Sequence, residues 1–422
     1  MNTQKNRWQT VGLLVGLIFL AFSVVAVHGA SEKIRINFWT LNSRADLTKK
    51  VIADFMAANP NIEVALTLNG TDDQKKNLKI AASSGTLPDA WFNWGGSLGS
   101  FYPENGLTLD LTAYAKQHKW NQKFMPAALD MCRFNGQLSG MPMDITGIGV
   151  YYNKQMFAKY KIKVPKTFAE FETALKVLKQ NGITPISTAG KDGWLVMRIN
   201  EALLEHFAGA QLHDKLANLE ASWNEPRVIK MYAKFKEWNE KGYFPQGFIT
   251  LDPNGDKLAL YADQAAMVVQ VSAFDTNVNI DKQDNKKYGW FPFPTDQKPN
   301  RISGFVQMIQ FSKKSAPAAQ AAALKFAEFF YSDTETSKYV NEFKYPLALK
   351  SAKPPTDLPN VPAVVKTLNK NGSWLISDQA LPQEIINKFF QTQDAVIIGS
   401  MTPEQAAKFM ADEIARYKAT KK

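Results

Sequence analysis

Ala81-Ala82-Ser83-Ser84-Gly85-Thr86-Leu87-Pro88-Asp89 runs directly into Ala90-Trp91-Phe92-Asn93-Trp94-Gly95-Gly96. The first part reads as a helix end closed by Gly85, after which Pro88-Asp89 turns the chain. The second part reads as a short apolar strand, Ala90–Asn93, that delivers Trp94 into a glycine-containing loop. In an open α/β sheet, ligands bind at loops beyond the carboxyl ends of strands. A Trp held there offers a flat apolar face with an N–H at its edge. Such a surface matches a sugar ring, which has C–H faces and hydroxyl edges.

Outward from this stretch the pattern repeats. Ile34, Ile36 and Phe38 alternate as in a strand, and Leu47, Val51, Ile52, Phe55 and Met56 then share one helical face that Pro60 stops. Ile62, Val64, Leu66 and Leu68 alternate again, and Thr71–Ser84 supplies the next helix. Strands alternating with helices predict an α/β fold with a mostly parallel sheet. Further on, Thr167-x-x-Glu170 and Thr402-Pro403-Glu404-Gln405 are helix-start signals. The Pro-rich stretch Ser351–Pro362 reads as a rigid connection.

The chain has 422 residues, too many for one ordinary core, so two domains are expected. Its formal charge is +11, but Lys and Arg are scattered as short pairs such as Lys49-Lys50 and Lys313-Lys314. Nucleic-acid binding requires a clustered basic stripe, and none is present. Lys5 and Arg7 followed by the uncharged run Val11–Val27 read as a signal peptide over residues 1–30, a leader for export. The single cysteine, Cys132, lies far from that leader, which excludes an internal disulfide and leaves no residue at its boundary for lipid attachment. A secreted, soluble, periplasmic protein is the expectation, with Cys132 buried.

Several segments in a fixed order resemble one family. They are Asp54-Phe55-Met56-Ala57-Ala58-Asn59-Pro60-Asn61-Ile62, Ser84-Gly85-Thr86-Leu87-Pro88-Asp89, Asn135-Gly136-Gln137-Leu138-Ser139-Gly140-Met141-Pro142, Val150-Tyr151-Tyr152-Asn153-Lys154, Gln264-Ala265-Ala266-Met267 and Met401-Thr402-Pro403-Glu404. Together the chain resembles the family 1 extracellular solute-binding proteins of ABC transporters, whose type is the maltose-binding proteins. The resemblance implies the two-lobed periplasmic-binding-protein fold, with a ligand cleft between lobes joined by hinge crossings near Asp144–Gly149, Ser303–Phe305 and Tyr345–Ser351. It divides the chain into an N-terminal lobe, 31–147 plus 303–350, and a C-terminal lobe, 148–302 plus 351–422. It implies capture of a carbohydrate, an oligosaccharide, by a monomer that docks on an ABC transporter membrane permease.

The candidate ligand contacts are read from loop positions and from that likeness. Trp39 ends the first strand, with Asn42 and Arg44 in the loop behind it, and Asn93 and Trp94 end the third. Asp144 stands at the first crossing, where a carboxylate accepts sugar hydroxyls. Trp194 follows Gly190-Lys191-Asp192-Gly193, and Phe274 with Asp275 stands where many relatives carry a Trp. Phe305 marks the second crossing, and Trp374 the place of a third aromatic. Arg198 and Asn200 lie a turn beyond Trp194 and are within reach of the same cleft. Trp91, Trp120, Trp223, Trp238 and Trp290 are assigned to packing.

No cofactor and no metal are expected: His118, His206 and His213 form no metal-like pair, and Asp252-Pro253-Asn254-Gly255-Asp256 lacks the rest of a calcium loop. Two rival readings remain. One is a glycoside-active enzyme in the same envelope, with Asp144 and Asp275 as its carboxylate pair. The other is a sugar receptor that feeds chemosensing.

Overall fold

A computed structural model describes residues 33–420 except 344 and 354. The expected leader lies outside the described residues. Among the described residues no helix is long and apolar enough to cross a membrane.

The strands are β1 (Ile34–Leu41), β2 (Ile62–Asn69), β3 (Ala90–Trp94), β4 (Arg133–Phe134), β5 (Gln137–Leu138), β6 (Met141–Asn153), β7 (Thr184–Ser187), β8 (Ala265–Val271), β9 (Tyr288–Phe291), β10 (Ile302–Phe311) and β11 (Ser373–Leu375). Nine of them form one mixed sheet in the order β2-β1-β3-β10-β6-β8-β7, with β11 on β10 and β9 on β6. β4 and β5 make a separate hairpin. β1 is parallel to β2 and β3, as the alternation of strand and helix predicts, and β10 enters antiparallel beside β3.

Two long strands tie the lobes together. β6 pairs with β10 through Met141–Gly147 and then, from Ile148 onward, with β8 and β9. Its residues are buried apart from half-buried Tyr152, so it reads as a near-continuous apolar run rather than an alternating one. β10 likewise pairs with β3 at its end and with β11 at its start. A third passage follows: Asp144 bridges to Leu347, and the Ala348 N–H donates to the Met143 carbonyl at 3.0 Å.

The opening stretch folds as its residues dictate. Gly85 closes the Thr71–Ser84 helix with φ +72°, a left-handed conformation that glycine adopts without strain. The Thr86 N–H reaches back to the Ala81 carbonyl at 2.8 Å and the Gly85 N–H to that of Ala82 at 3.4 Å, a Schellman closure. Asp89 then fixes the start of β3, its carboxylate accepting the Asn37 N–H at 2.7 Å and the Ser315 hydroxyl at 2.5 Å. Trp91, Trp120, Trp223 and Trp238 are buried, and so is Cys132, whose thiol burial pushes upward.

Candidate ligand cleft

A cleft of about 560 Å³ opens between the lobes at the carboxyl ends of β1, β3 and β8. From one side come Asn42, the start of the Thr71–Ser84 helix and Trp94; from the other come Trp194, Arg198 and Gln270. Phe305, Gln307, Ile376, Asp378 and Gln379 complete the wall.

Trp94 is 7% exposed, packed edge-on to Phe92 at 4.8 Å, with the Lys75 ammonium 5.3 Å from its ring. Trp194 is the first residue of the Trp194–Ala217 helix and is half-buried. The Arg198 guanidinium, one turn along, lies 4.7 Å over its ring. Arg198 donates to the Gln270 side-chain oxygen at 2.7 Å, and Gln270 in turn donates to Asp256. Burial lowers the Arg198 pKa to about 10. Four polar atoms of this wall have no protein partner: Trp194 Nε1, Arg198 Nε, Asp378 Oδ1 and Gln379 Oε1. A buried donor or acceptor left unpaired costs roughly 1–3 kcal/mol.

Of the sequence candidates, the cleft brings together Asn42, Trp94, Trp194, Arg198 and Phe305. The others lie elsewhere. Trp39 turns away and packs against Leu78, Trp91 and Tyr102. Arg44 and Asp144 are buried and bonded to each other at 2.6 Å, with Gln307 as a further partner of Arg44. Asn93 spends its side chain on Gln310 at 2.7 Å and on the Trp94 N–H at 2.9 Å. Phe274 opens a helix, Phe274–Ile280, rather than a loop, and its ring is fully buried 4.5 Å from that of Tyr151. Asp275 is also fully buried, accepting from the Asn360 N–H at 2.7 Å and its side-chain amide at 2.8 Å. Asp144 and Asp275 therefore sit in separate networks, and neither lines the cleft. Trp374 is 5% exposed, 5.2 Å from the His213 ring and beside Arg301. Asn200 is buried and bonded to Gln393 at 3.2 Å.

Sequence reasoning passed over Gln270, Asp378 and Gln379, and weighed Asp256 only as part of an incomplete calcium loop. Gln270 stands near the carboxyl end of β8, so the strand-end rule that selected Trp94 applies to it as well. Asp378 and Gln379 belong to a one-turn helix, Ser377–Ala380, with no motif to mark it. That turn is anchored by Glu201, whose carboxylate accepts the Ser377 N–H at 2.9 Å.

Burial raises the Glu201 pKa to about 7, against 4.5 for an unburied glutamate. The folded state therefore holds this proton more tightly than the unfolded chain does. Stability from this group is full below about pH 4.5 and falls as pH rises toward about 7. Asp144 and Asp394, both raised by burial to about 6, act in the same direction. Melting temperature should thus decline between mildly acid and neutral pH, and Glu201→Gln should make that decline shallower. Melts across this range check it, and an unchanged slope would contradict it.

A larger cavity of about 910 Å³ lies between Phe343, Leu347 and the Val361–Asn371 helix. It contains no tryptophan and shares only Tyr345 with the cleft.

The family model for bacterial extracellular solute-binding proteins matches residues 40–336. The chain belongs to that family. Among curated relatives, the multiple sugar-binding protein of Streptococcus mutans is 24% identical over 397 residues, covering 86% of this chain and 87% of its own. Among solved structures, a chitin oligosaccharide binding protein superposes with a TM-score of 0.83 at 23% identity, covering 92% of this chain and all of the other. The maltose-bound MalE3 of T. maritima gives 0.78 at 21% identity, with 91% and 100% covered. This solute-binding protein thus has the two-lobed α/β fold of maltose-binding-type receptors.

Proposed function

We propose that this solute-binding protein captures a carbohydrate between its lobes and presents it to a membrane permease of an ABC transporter, as a periplasmic monomer and without catalysing a reaction. The observation that carries this reading is the pair Trp94 and Trp194, which line one cleft from two sides beside the unpartnered Trp194 Nε1, Arg198 Nε and Gln379 Oε1. Flat apolar faces with a few convergent polar atoms are what a sugar ring requires. The sugar-binding name of the Streptococcus mutans relative supports the same class. A receptor is favoured over a glycosidase because Asp144 is committed to Arg44 and Asp275 to Asn360.

The proposed lobe division is 31–147 plus 303–350 against 148–302 plus 351–422. It is supported by the change of partners along β6 between Gly147 and Ile148. A ligand that touches both lobes only when they approach shifts the population toward the closed state.

Trp194→Ala should cost on the order of 2 kcal/mol of binding, the scale of a hot-spot residue. Because Trp194 is half-buried, its loss should show mainly in affinity. Trp94→Ala, at 7% exposure, should lower both affinity and melting temperature. Calorimetry and a thermal melt with a panel of oligosaccharides test both variants. Wild-type affinity in Trp194→Ala would count against the reading, as would the absence of any sugar that raises the melt.

A further inference from the structure

We infer that the larger cavity, on the other side of the third passage from the cleft, is a second binding site, for a single-chain carboxylate with an apolar body. The inference stands apart from the sugar reading of the cleft. At about 910 Å³ the cavity is within the roughly 300–1,000 Å³ of small-molecule sites. One wall runs from the Asp333–Lys338 helix to Leu347, and the other is the Val361–Asn371 helix with the Pro-rich connection before it. Tyr345 alone lines both spaces, so the third passage partitions them.

Both walls are anchored to β6, which holds them apart. Val364 of the Val361–Asn371 helix is fully buried, and a Cβ on Gly147 would lie 2.6 Å from one of its methyls. Pro362, Val365, Lys366, Asn369 and Lys370 recur at helical spacing beside that packed face, and this stripe lines the cavity. On the opposite wall the Pro346 carbonyl accepts the Ile145 N–H at 3.0 Å, and Leu347 bridges to Asp144. Met125, Val340 and Val365 are left half-buried around the space, with Phe343 and Leu347 behind them. Apolar surface facing such a space marks a ligand groove.

Charge chooses the occupant. Lys353, Lys366 and Lys370 line the cavity against one carboxylate, Asp333, which accepts the Ser351 hydroxyl at 2.6 Å. Lys338, on the adjoining helix, is paired with Asp54. Among the described residues the ammonium groups of Lys353, Lys366 and Lys370 have no such partner. Lys366 and Lys370 also stand four residues apart on one helix, a like-charge pair of the kind that destabilises it. An anion between them removes that repulsion. A carboxylate head satisfies the lysines, and an aliphatic or aromatic body covers Val340, Phe343 and Val365. A sugar matches less well, because the lining has no tryptophan to stack on it.

Decanoate, decanol and decyltrimethylammonium carry one apolar chain and three different heads, and so test the site. Each exposed ammonium contributes little, but two or three together should make decanoate about tenfold tighter than decanol, with the cation weakest. Calorimetry on the full-length protein, below micelle-forming concentrations, measures this. The advantage should shrink as salt is raised, because exposed charges are screened. Lys366→Gln combined with Lys370→Gln should remove the preference for decanoate and leave decanol binding unchanged. Val365→Trp, at a half-buried position with room for a larger ring, should fill the cavity and abolish binding of all three, while an unchanged circular dichroism spectrum shows that the variant folds. No decanoate binding, equal binding of the three heads, decanoate binding that survives Val365→Trp, or binding to phosphatidylglycerol vesicles in place of free decanoate would each overturn the inference. Oligosaccharide affinity, measured on the same variants, should stay at the wild-type value, so either reading can fail while the other stands.

Discussion

Gly96→Ala is expected to weaken ligand capture by about 100-fold or more, roughly 2.7 kcal/mol of binding. Gly96 follows β3 and Trp94 with φ +62°, and a Cβ there would lie 2.1 Å from the Gln379 carbonyl oxygen. That neighbour is backbone, so no rotamer change relieves the overlap. The Gln379 segment is fixed from behind through Ser377 to Glu201 on the Trp194–Ala217 helix. It is also held to the first turn of the Gly96–Glu104 helix by Ser97, whose hydroxyl donates to the Asp378 carbonyl at 3.3 Å. Making room means moving this turn away from Trp94, which takes Asp378 and Gln379 out of position and widens the cleft. Gly106→Ala is the control. Gly106 has φ +65° but nothing within 4 Å of its added Cβ, so it carries the backbone strain alone, about 1 kcal/mol. Gly96→Ala should melt lower than Gly106→Ala, because it carries the overlap as well as the strain, and only Gly96→Ala should lose affinity. Equal affinities would show that the turn has slack, and would remove it from the binding wall.

The α/β fold was legible because its signals are local. Gly85, Pro88 and Asp89 each act within a few residues, and the apolar alternation of β1 and β2 needs no knowledge of distant partners. The family followed from the order of such segments. The cleft was legible where a residue ends a strand or starts a helix, as Trp94 and Trp194 do. It was illegible where the partner is remote. Nothing near Asp144 in the sequence announces that Arg44, a hundred residues away, neutralises it below the cleft. Phe274 obeyed the apparent loop pattern, yet Tyr151 and Tyr288 enclose it, because β6 and β9 bring both rings to the same place.

Arg44→Met should cost about 3–5 kcal/mol of stability, the range for leaving one member of a buried ion pair without its partner. Arg44 is 7% exposed and Asp144 is fully buried. One guanidinium nitrogen donates to Asp144 at 2.6 Å and also to Gln307, and the group lies 4.2 Å over the Tyr345 ring. This cluster joins the chain after β1 to β6, β10 and the third passage, the places where chain crosses between lobes. Burial already raises Asp144 to about 6, with Arg44 opposing that rise. Without Arg44 the carboxylate would take up a proton at still higher pH, so the loss should be small near about pH 5 and largest near about pH 8. Arg44→Met combined with Asp144→Asn should recover part of the stability at neutral pH, because the orphaned charge is gone. Denaturant melts of the two single variants and the double variant, at both pH values, measure the coupling. A ligand contact predicts something different: normal melting at every pH with reduced affinity. That result would return Arg44 to the cleft where the sequence first placed it, whereas a pH-dependent melt rescued by Asp144→Asn makes the pair a structural clasp beneath the proposed sugar site.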